Sequence, residues 1–306
     1  MISVIICTYN REKFILKTLE CLAIQNFPIK DFEIIIVNNK STDGTKAICE
    51  NFIKKHPDLN TNYVEEYNQG HSFARNRGIK EAKGEILTFL DDDAFAVPGF
   101  LKAINVFFLK NPSVDAIGGK VVPEFETGKP NWMSPYLLPL VAALDMGKSV
   151  KEFKGKGFPV GANMSFRKSV FEKFGVFNSD LGRKGTQLLG GDEKDVFYRL
   201  KRAKAKVLYL PEAEVTHMMP PSRTSMDYIR RQSIAVGIAE RVRVESLGKK
   251  EVLNRQLEEF FKVGATFVIS FFYCLTLQLP KAIMLIKFRW WVLKGFYSPT
   301  IDTSQK

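Results

Sequence analysis

The chain has 306 residues, 45% of them hydrophobic and 25% charged, which suits a globular protein with a buried core and excludes a fibrous or low-complexity chain. Its formal net charge of +12 points to nucleic acid, anionic lipid or a phosphorylated ligand. No helix-turn-helix, zinc-finger or RNP-type signal accompanies that charge, so no nucleic-acid partner is expected. The four cysteines, Cys7, Cys21, Cys49 and Cys274, have no metal or redox spacing and read as reduced thiols of a cytoplasmic protein.

Residues 2–7 read as a strand and 11–25 as a helix. The apolar run 33–37 has the length of a buried strand. A helix fits 45–55, opened by the capping side chains of Ser41, Thr42, Asp43 and Thr45. A short strand is expected over 62–66 and a helix over 71–82, stopped by Gly84. The apolar run Glu85 to Leu90 then closes on three consecutive carboxylates, Asp91, Asp92 and Asp93, ahead of a helix near Pro98. Strands alternating with helices predict a mixed, mainly parallel α/β sheet flanked by helices on both faces.

Open sheets of this kind bind ligands beyond the carboxyl ends of their strands. Three strand ends carry polar groups here: Thr8-Tyr9-Asn10-Arg11, Asn38-Asn39, and the aspartate triplet. Adjacent carboxylates repel, and a hard divalent cation such as Mg²⁺ or Mn²⁺ relieves that repulsion. The competing reading is an acidic turn that caps the next helix. Agreement among three strand ends favours the ligand reading.

Further along, 114–122 and 158–166 read as strands, joined by a long Pro-, Gly- and Lys-rich loop over 123–156. A helix is expected over 193–203, opened by Asp192 and Glu193, then a short strand over 207–211 and the run Val215-Thr216-His217. Residues 223–306 read as a helical extension. Within it, Val263 to Leu279 carries no charge over seventeen residues, the short limit of a membrane span, and Pro280 is expected to end it. The aromatic and basic run Phe288-Arg289-Trp290-Trp291 suits a membrane interface. Interfacial contact, a packed helix and a full span are the three readings of this segment.

The order of these pieces resembles glycosyltransferase family 2, whose nucleotide-sugar-binding domain has the GT-A fold. The resemblance is carried by Ser3 to Arg11, by Glu33 to Thr45, by Asn68-Gln69-Gly70 with Ala74 to Gly78, by Phe89 to Asp93 as a DXD motif, and by Gly190 to Asp195. It covers about residues 2–225 and implies a GT-A domain over 1–222, followed by a helical, membrane-associating extension over 223–306. It further implies inverting transfer from a nucleotide sugar, with a UDP-sugar favoured, to a glycan or lipid-linked acceptor. The location implied is cytoplasmic, peripheral at the inner face of an anionic membrane.

Residue by residue, the resemblance assigns Thr8, Tyr9, Asn10, Arg11, Asn38, Asp43, Arg75, Asp91 and Asp92 to the nucleotide sugar. It assigns Asp93, Asp91 and His217 to Mn²⁺ or Mg²⁺, and Asp192 or Glu193 to the catalytic base. His71 and Arg223 are further candidate donor contacts. Two departures stand out. Asn38 replaces an Asp, and the QXXRW motif of processive synthases is absent, which implies one sugar per encounter. The rival readings are a non-catalytic nucleotide-sugar-binding scaffold and a sugar-1-phosphate nucleotidyltransferase. The latter would need a Gly-rich basic loop after the first strand, which Thr8 to Arg11 does not supply.

Overall fold

The computed structural model describes residues 1–155, 157–183 and 190–298. Two compact units emerge from its contacts: Met1–Glu124 with Ala142–Gln187 and Gly191–Met218, and Phe125–Val141 with Leu188–Gly190 and Met219–Lys306.

The first unit is an α/β sheet sandwich. Its elements in chain order are β1 (Ile2–Thr8), α1 (Ile15–Ala23), β2 (Phe32–Asn38), α2 (Thr45–Lys55), β3 (Thr61–Glu65), α3 (His71–Glu81), β4 (Ile86–Asp91), β5 (Ala94–Ala96), α4 (Phe100–Lys110), β6 (Ala116–Phe125), β7 (Lys151–Glu152), β8 (Asn163–Arg167), α5 (Lys168–Phe174), α6 (Asp192–Arg202) and β9 (Val207–Met219). Among the described residues the strand order is β3-β2-β1-β4-β8-β6-β9-β5, with β7 beside β9. β1 to β4 are mutually parallel, and the strands added beyond them are antiparallel.

Alternation along the strands feeds two cores, as a pleat with period two requires. Ile2, Val4 and Ile6 of β1 pack with Ile15, Leu19 and Leu22 of α1 and with Phe52 of α2. Ile5, Ile35 and Val37 face the other way, toward Ala74 of α3, Phe89, Phe166, Phe171 and Val196. Helix α3 lies so close to β1 that a Cβ on Gly78 would stand 2.3 Å from the Ile5 side chain.

Three differences from the predicted elements matter for the site. Residues 158–162 precede β8 rather than belonging to it, which leaves the Gly161 and Ala162 carbonyls free to bind elsewhere. β5, only three residues long, has too little pattern to be read from sequence. The two short runs expected at 207–211 and 215–217 are one thirteen-residue strand, β9.

The second unit contains α7 (Pro221–Thr224), α8 (Met226–Leu247), α9 (Lys249–Leu275) and α10 (Leu279–Tyr297). Its core joins Met133, Leu137 and Val141 to Met219, Ile229, Met284 and Leu285. α8 and α10 touch backbone to backbone, since a Cβ on Gly237 would lie 2.1 Å from Val292 O. The uncharged run expected over 263–279 is not one helix. α9 ends at Leu275, Leu277 takes a left-handed φ of 56°, and Pro280 opens α10 instead of ending α9. Proline suits a first helical turn because its missing N–H has no partner to lose there. No helix among the described residues is long and apolar enough to cross a membrane.

Candidate active site

The parallel register aligns the strand ends. Thr8 pairs with Asn38, and Cys7 pairs with Asp91. The loops that leave β1 and β2 are then laced together. Asn10 sits at φ 52°, a conformation Asn tolerates better than most residues. Its backbone N–H donates to Ser41 Oγ at 3.0 Å, and its Oδ1 accepts from Thr42 N at 2.8 Å. Arg11 N donates to Thr45 Oγ1 at 2.8 Å, while Asp43 Oδ1 accepts from Thr45 N at 3.0 Å. Burial acts upward on the Asp43 carboxyl, but the Thr45 hydrogen bonds outweigh it and hold the group below its ordinary value. Asn38 is buried. Its Oδ1 accepts from Ser41 N at 3.0 Å and its Nδ2 donates to Tyr63 Oη at 2.8 Å, so protein groups occupy both ends of the amide. Tyr9 remains exposed at the rim.

The triplet splits by direction. Asp92 turns toward Arg11, whose Nε donates to its Oδ1 at 3.0 Å, and its backbone carbonyl accepts from Thr18 Oγ1 at 2.9 Å. Burial pushes the Asp92 carboxyl up to about 6 against the pull of Arg11, with Asp93 adding to the rise. Asp91 and Asp93 turn toward His217. His217 Nε2 donates to Asp93 Oδ1 at 2.8 Å and lies 3.8 Å from Asp91 Oδ2. Strand pairing makes this contact. Ala94 of β5 lies opposite His217 of β9, and Met218 N donates to Asp93 O at 3.0 Å. One ligand atom from each of Asp91, Asp93 and His217 falls within 4.8 Å of the others. Two carboxylates and an imidazole make a donor set suited to a divalent cation, and the spacing fits a single ion.

Asp192 and Glu193 open α6. Asp192 is 2% exposed, and its Oδ2 accepts from Arg75 Nη1 at 2.7 Å. Arg75 is equally buried, lies over the Phe177 ring at 5.1 Å and donates from Nη2 to Gly161 O at 3.1 Å. A Cβ at Gly161 would stand 2.6 Å from that guanidinium, so any larger residue there would have to displace Arg75. Burial would raise the Asp192 carboxyl, yet Arg75, His71 and hydrogen bonds hold it well below the usual carboxylate range. Glu193 stands 3.9 Å from Arg75 Nη1 and keeps 24% of its side chain exposed. Burial first, then the charge of Asp192, pushes Glu193 up to about 7. His71 Nδ1 lies 4.0 Å from Asp192 Oδ2, and burial and Arg75 lower its ring to about 4.

The two acidic groups share one turn. Arg75 binds Gly161 O, and Asp91 N donates to the next carbonyl, Ala162 O, at 3.3 Å. The triplet, His217, Arg75 and the Asp192-Glu193 pair are therefore assembled on one sheet edge of the first unit. Arg223 lies in the second unit, on α7. Most of the Gly-rich 182–191 segment lies outside the described residues. The Gly161-Ala162 turn was not singled out from sequence, although Gly161 beside Val160 in a Pro-Val-Gly-Ala run was the available signal.

A family model described as glycosyl transferase family 2 matches residues 3–175. The chain is 27% identical over 248 residues to the glucosyl-dolichyl phosphate glucuronosyltransferase of Haloferax volcanii, covering 79% of this chain and 76% of that protein. It is 28% identical to the GalNAc(5)-diNAcBac-PP-undecaprenol beta-1,3-glucosyltransferase of Campylobacter jejuni, over 67% of this chain and 60% of that one. Among solved structures, a mannosyltransferase from Pyrobaculum calidifontis in complex with GDP-Man and Mn²⁺ superimposes with a TM-score of 0.64, at 19% identity, over 97% of this chain and 87% of that one. At that identity the likeness speaks for the fold alone.

Proposed function

The chain belongs to glycosyl transferase family 2, and from that premise we propose that it moves one sugar, with inversion, from a nucleotide sugar to a hydroxyl of a glycan or lipid-linked acceptor in the synthesis of a cell-surface polysaccharide or glycolipid. The observation that carries this reading is the shared turn, Gly161-Ala162, which holds a cation-type carboxylate cluster and a base-type carboxylate pair side by side. The two relatives above are named for dolichyl-phosphate and undecaprenyl-diphosphate acceptors, which supports a lipid-linked acceptor here.

Asp91, Asp93 and His217 would hold the divalent ion, which neutralises charge developing on the departing diphosphate when bound. Arg11 draws Asp92 aside and also stands 3.6 Å from Asp93 Oδ2, keeping the cluster compact. The nucleotide sugar would lie over the laced loops of Tyr9, Asn10 and Ser41.

The geometry supports Glu193 as the base. Asp192 is bound to Arg75 and held ionised, so it is a poor proton acceptor. Glu193 is the more open of the two, and its raised proton affinity suits it to take the acceptor hydroxyl's proton near neutral pH. Arg75 then acts as a positioning residue for the pair. A single carboxylate in the base role suits single displacement, hence inversion, rather than a nucleophile-and-acid pair.

The test is nucleotide release from UDP-, GDP- and dTDP-sugars with Mn²⁺ and a lipid-linked acceptor, UDP-sugars first. Acceptor-dependent release with one donor is the expected result. Nucleotide binding with no turnover across the panel would give the protein to the scaffold reading.

A further inference from the structure

Helix α9 is built inside out. Its buried residues include Arg255, Glu259, Thr266 and Ser270, spaced by four, seven and four so that they form one stripe. Most of that stripe finds polar partners within the unit. Glu259 meets Arg255 at 2.6 Å, Lys262 at 3.2 Å and Arg289 of α10 at 3.0 Å. Ser270 Oγ donates to Ala282 O of α10 at 3.4 Å. The opposite face is aromatic and open: Phe260 is 74% exposed, Phe267 60% and Phe271 61%. An amphipathic helix in water shows the reverse pattern.

The pattern continues around the turn. No charged residue occurs from Val263 to Pro280, and Leu277 at the turn is 86% exposed. On α10, Leu279, Ile283, Ile286 and Trp290 stand outward at spacings of four, three and four, while Ala282, Leu285 and Val292 are buried. On α9, polar groups face inward and apolar groups outward, the arrangement of a helix solvated by lipid, and α10 extends the outward apolar face. An apolar face of this extent marks a contact surface on a folded protein.

We propose that the α9–α10 hairpin dips its outward apolar face into one leaflet of an anionic bilayer without crossing it. Trp290 and the exposed Lys287 and Lys294 stand where aromatic and basic side chains anchor at headgroups. The net charge of +12 complements anionic lipid. A second copy is a poorer occupant, since it would bring another chain of net charge +12 against this one. The proposal rests on the proposed function only for why a lipid surface is useful, through a lipid-linked acceptor.

The test uses the full chain and a Phe267→Asp, Phe271→Asp, Phe272→Asp variant, all three sites being solvent-exposed. Flotation is measured with phosphatidylcholine vesicles with and without phosphatidylglycerol, alongside tryptophan quenching by brominated acyl chains. The full chain is expected to float with the anionic vesicles and show quenching, and the variant to lose about a hundredfold or more in partitioning. The variant should keep its circular dichroism and its metal-dependent nucleotide binding. Equal flotation of both proteins overturns the proposal. So does a lipid-free dimer that the same substitutions dissolve while the full chain ignores vesicles. Vesicle binding without any donor turnover would leave the hairpin assignment standing and remove the catalytic one.

Discussion

The strand-end cluster and the helix-start pair are both acidic and both largely buried, yet they handle charge in opposite ways. At the strand end, Asp91, Asp92 and Asp93 gather around Arg11 and His217. Arg11 engages Asp92 most closely, which leaves Asp91 and Asp93 on the histidine side. At the helix start, Arg75 is spent on Asp192 at 2.7 Å and only approaches Glu193 at 3.9 Å. The first arrangement retains negative charge that a cation can share. The second settles the charge of one carboxylate and lifts the proton affinity of its neighbour. Two clusters of similar composition thus acquire different chemistry through where one guanidinium points.

That contrast can be broken experimentally. The largest effect is expected from Glu193→Gln, which should lower kcat by about a thousandfold, within the range for loss of a general base, with donor affinity kept. Asp192→Asn should instead act through misplacement of Arg75 and Glu193. If Asp192→Asn alone abolishes transfer while Glu193→Gln is fully active, the roles are reversed. Asp93→Ala should cost on the order of a hundredfold in kcat/KM and remove the Mn²⁺ dependence of nucleotide binding by calorimetry. Unchanged metal-dependent affinity would sink the cation assignment.

Arg75→Gln sharpens the comparison on the other side. It leaves Asp192 buried without its partner, and a chemical denaturation series should show a loss of about 3–5 kcal/mol. The smallest effect is the pH profile of kcat. Glu193 must be deprotonated to act, so activity should rise with pH through about 7 and fall about tenfold per unit below it. Arg75 pulls the Glu193 value down, so a folded Arg75→Lys variant with a displaced charge should move that limb to higher pH. A flat profile from pH 5 to 9 in the parent would remove Glu193 as the titrating base.

Much of the first unit was legible along the chain. β1, α2, α3 and β4 fall within a residue or two of expectation, because apolar periodicity and short connections are local properties. The three polar strand ends were legible for the same reason, once strands alternating with helices implied a parallel sheet. The family resemblance also picked out Asp93 and His217 as metal ligands and Asp192 or Glu193 as the base, without the contacts that separate the last two.

The sequence by itself determined the alternating α/β plan, the edge on which polar groups collect, and the presence of two acidic motifs, since each depends on near neighbours. The tertiary structure alone decided the partners. His217 meets Asp93 across 124 residues because a three-residue strand pairs with β9, and Arg75, which also binds the Gly161 carbonyl, meets Asp192 across 117 residues. It also decided that α9 turns Glu259 inward and its phenylalanines outward. The physical reason is common to all three. A carboxylate's charge and a side chain's solvent are set by what stands opposite in space, and period and spacing along the chain carry no record of that.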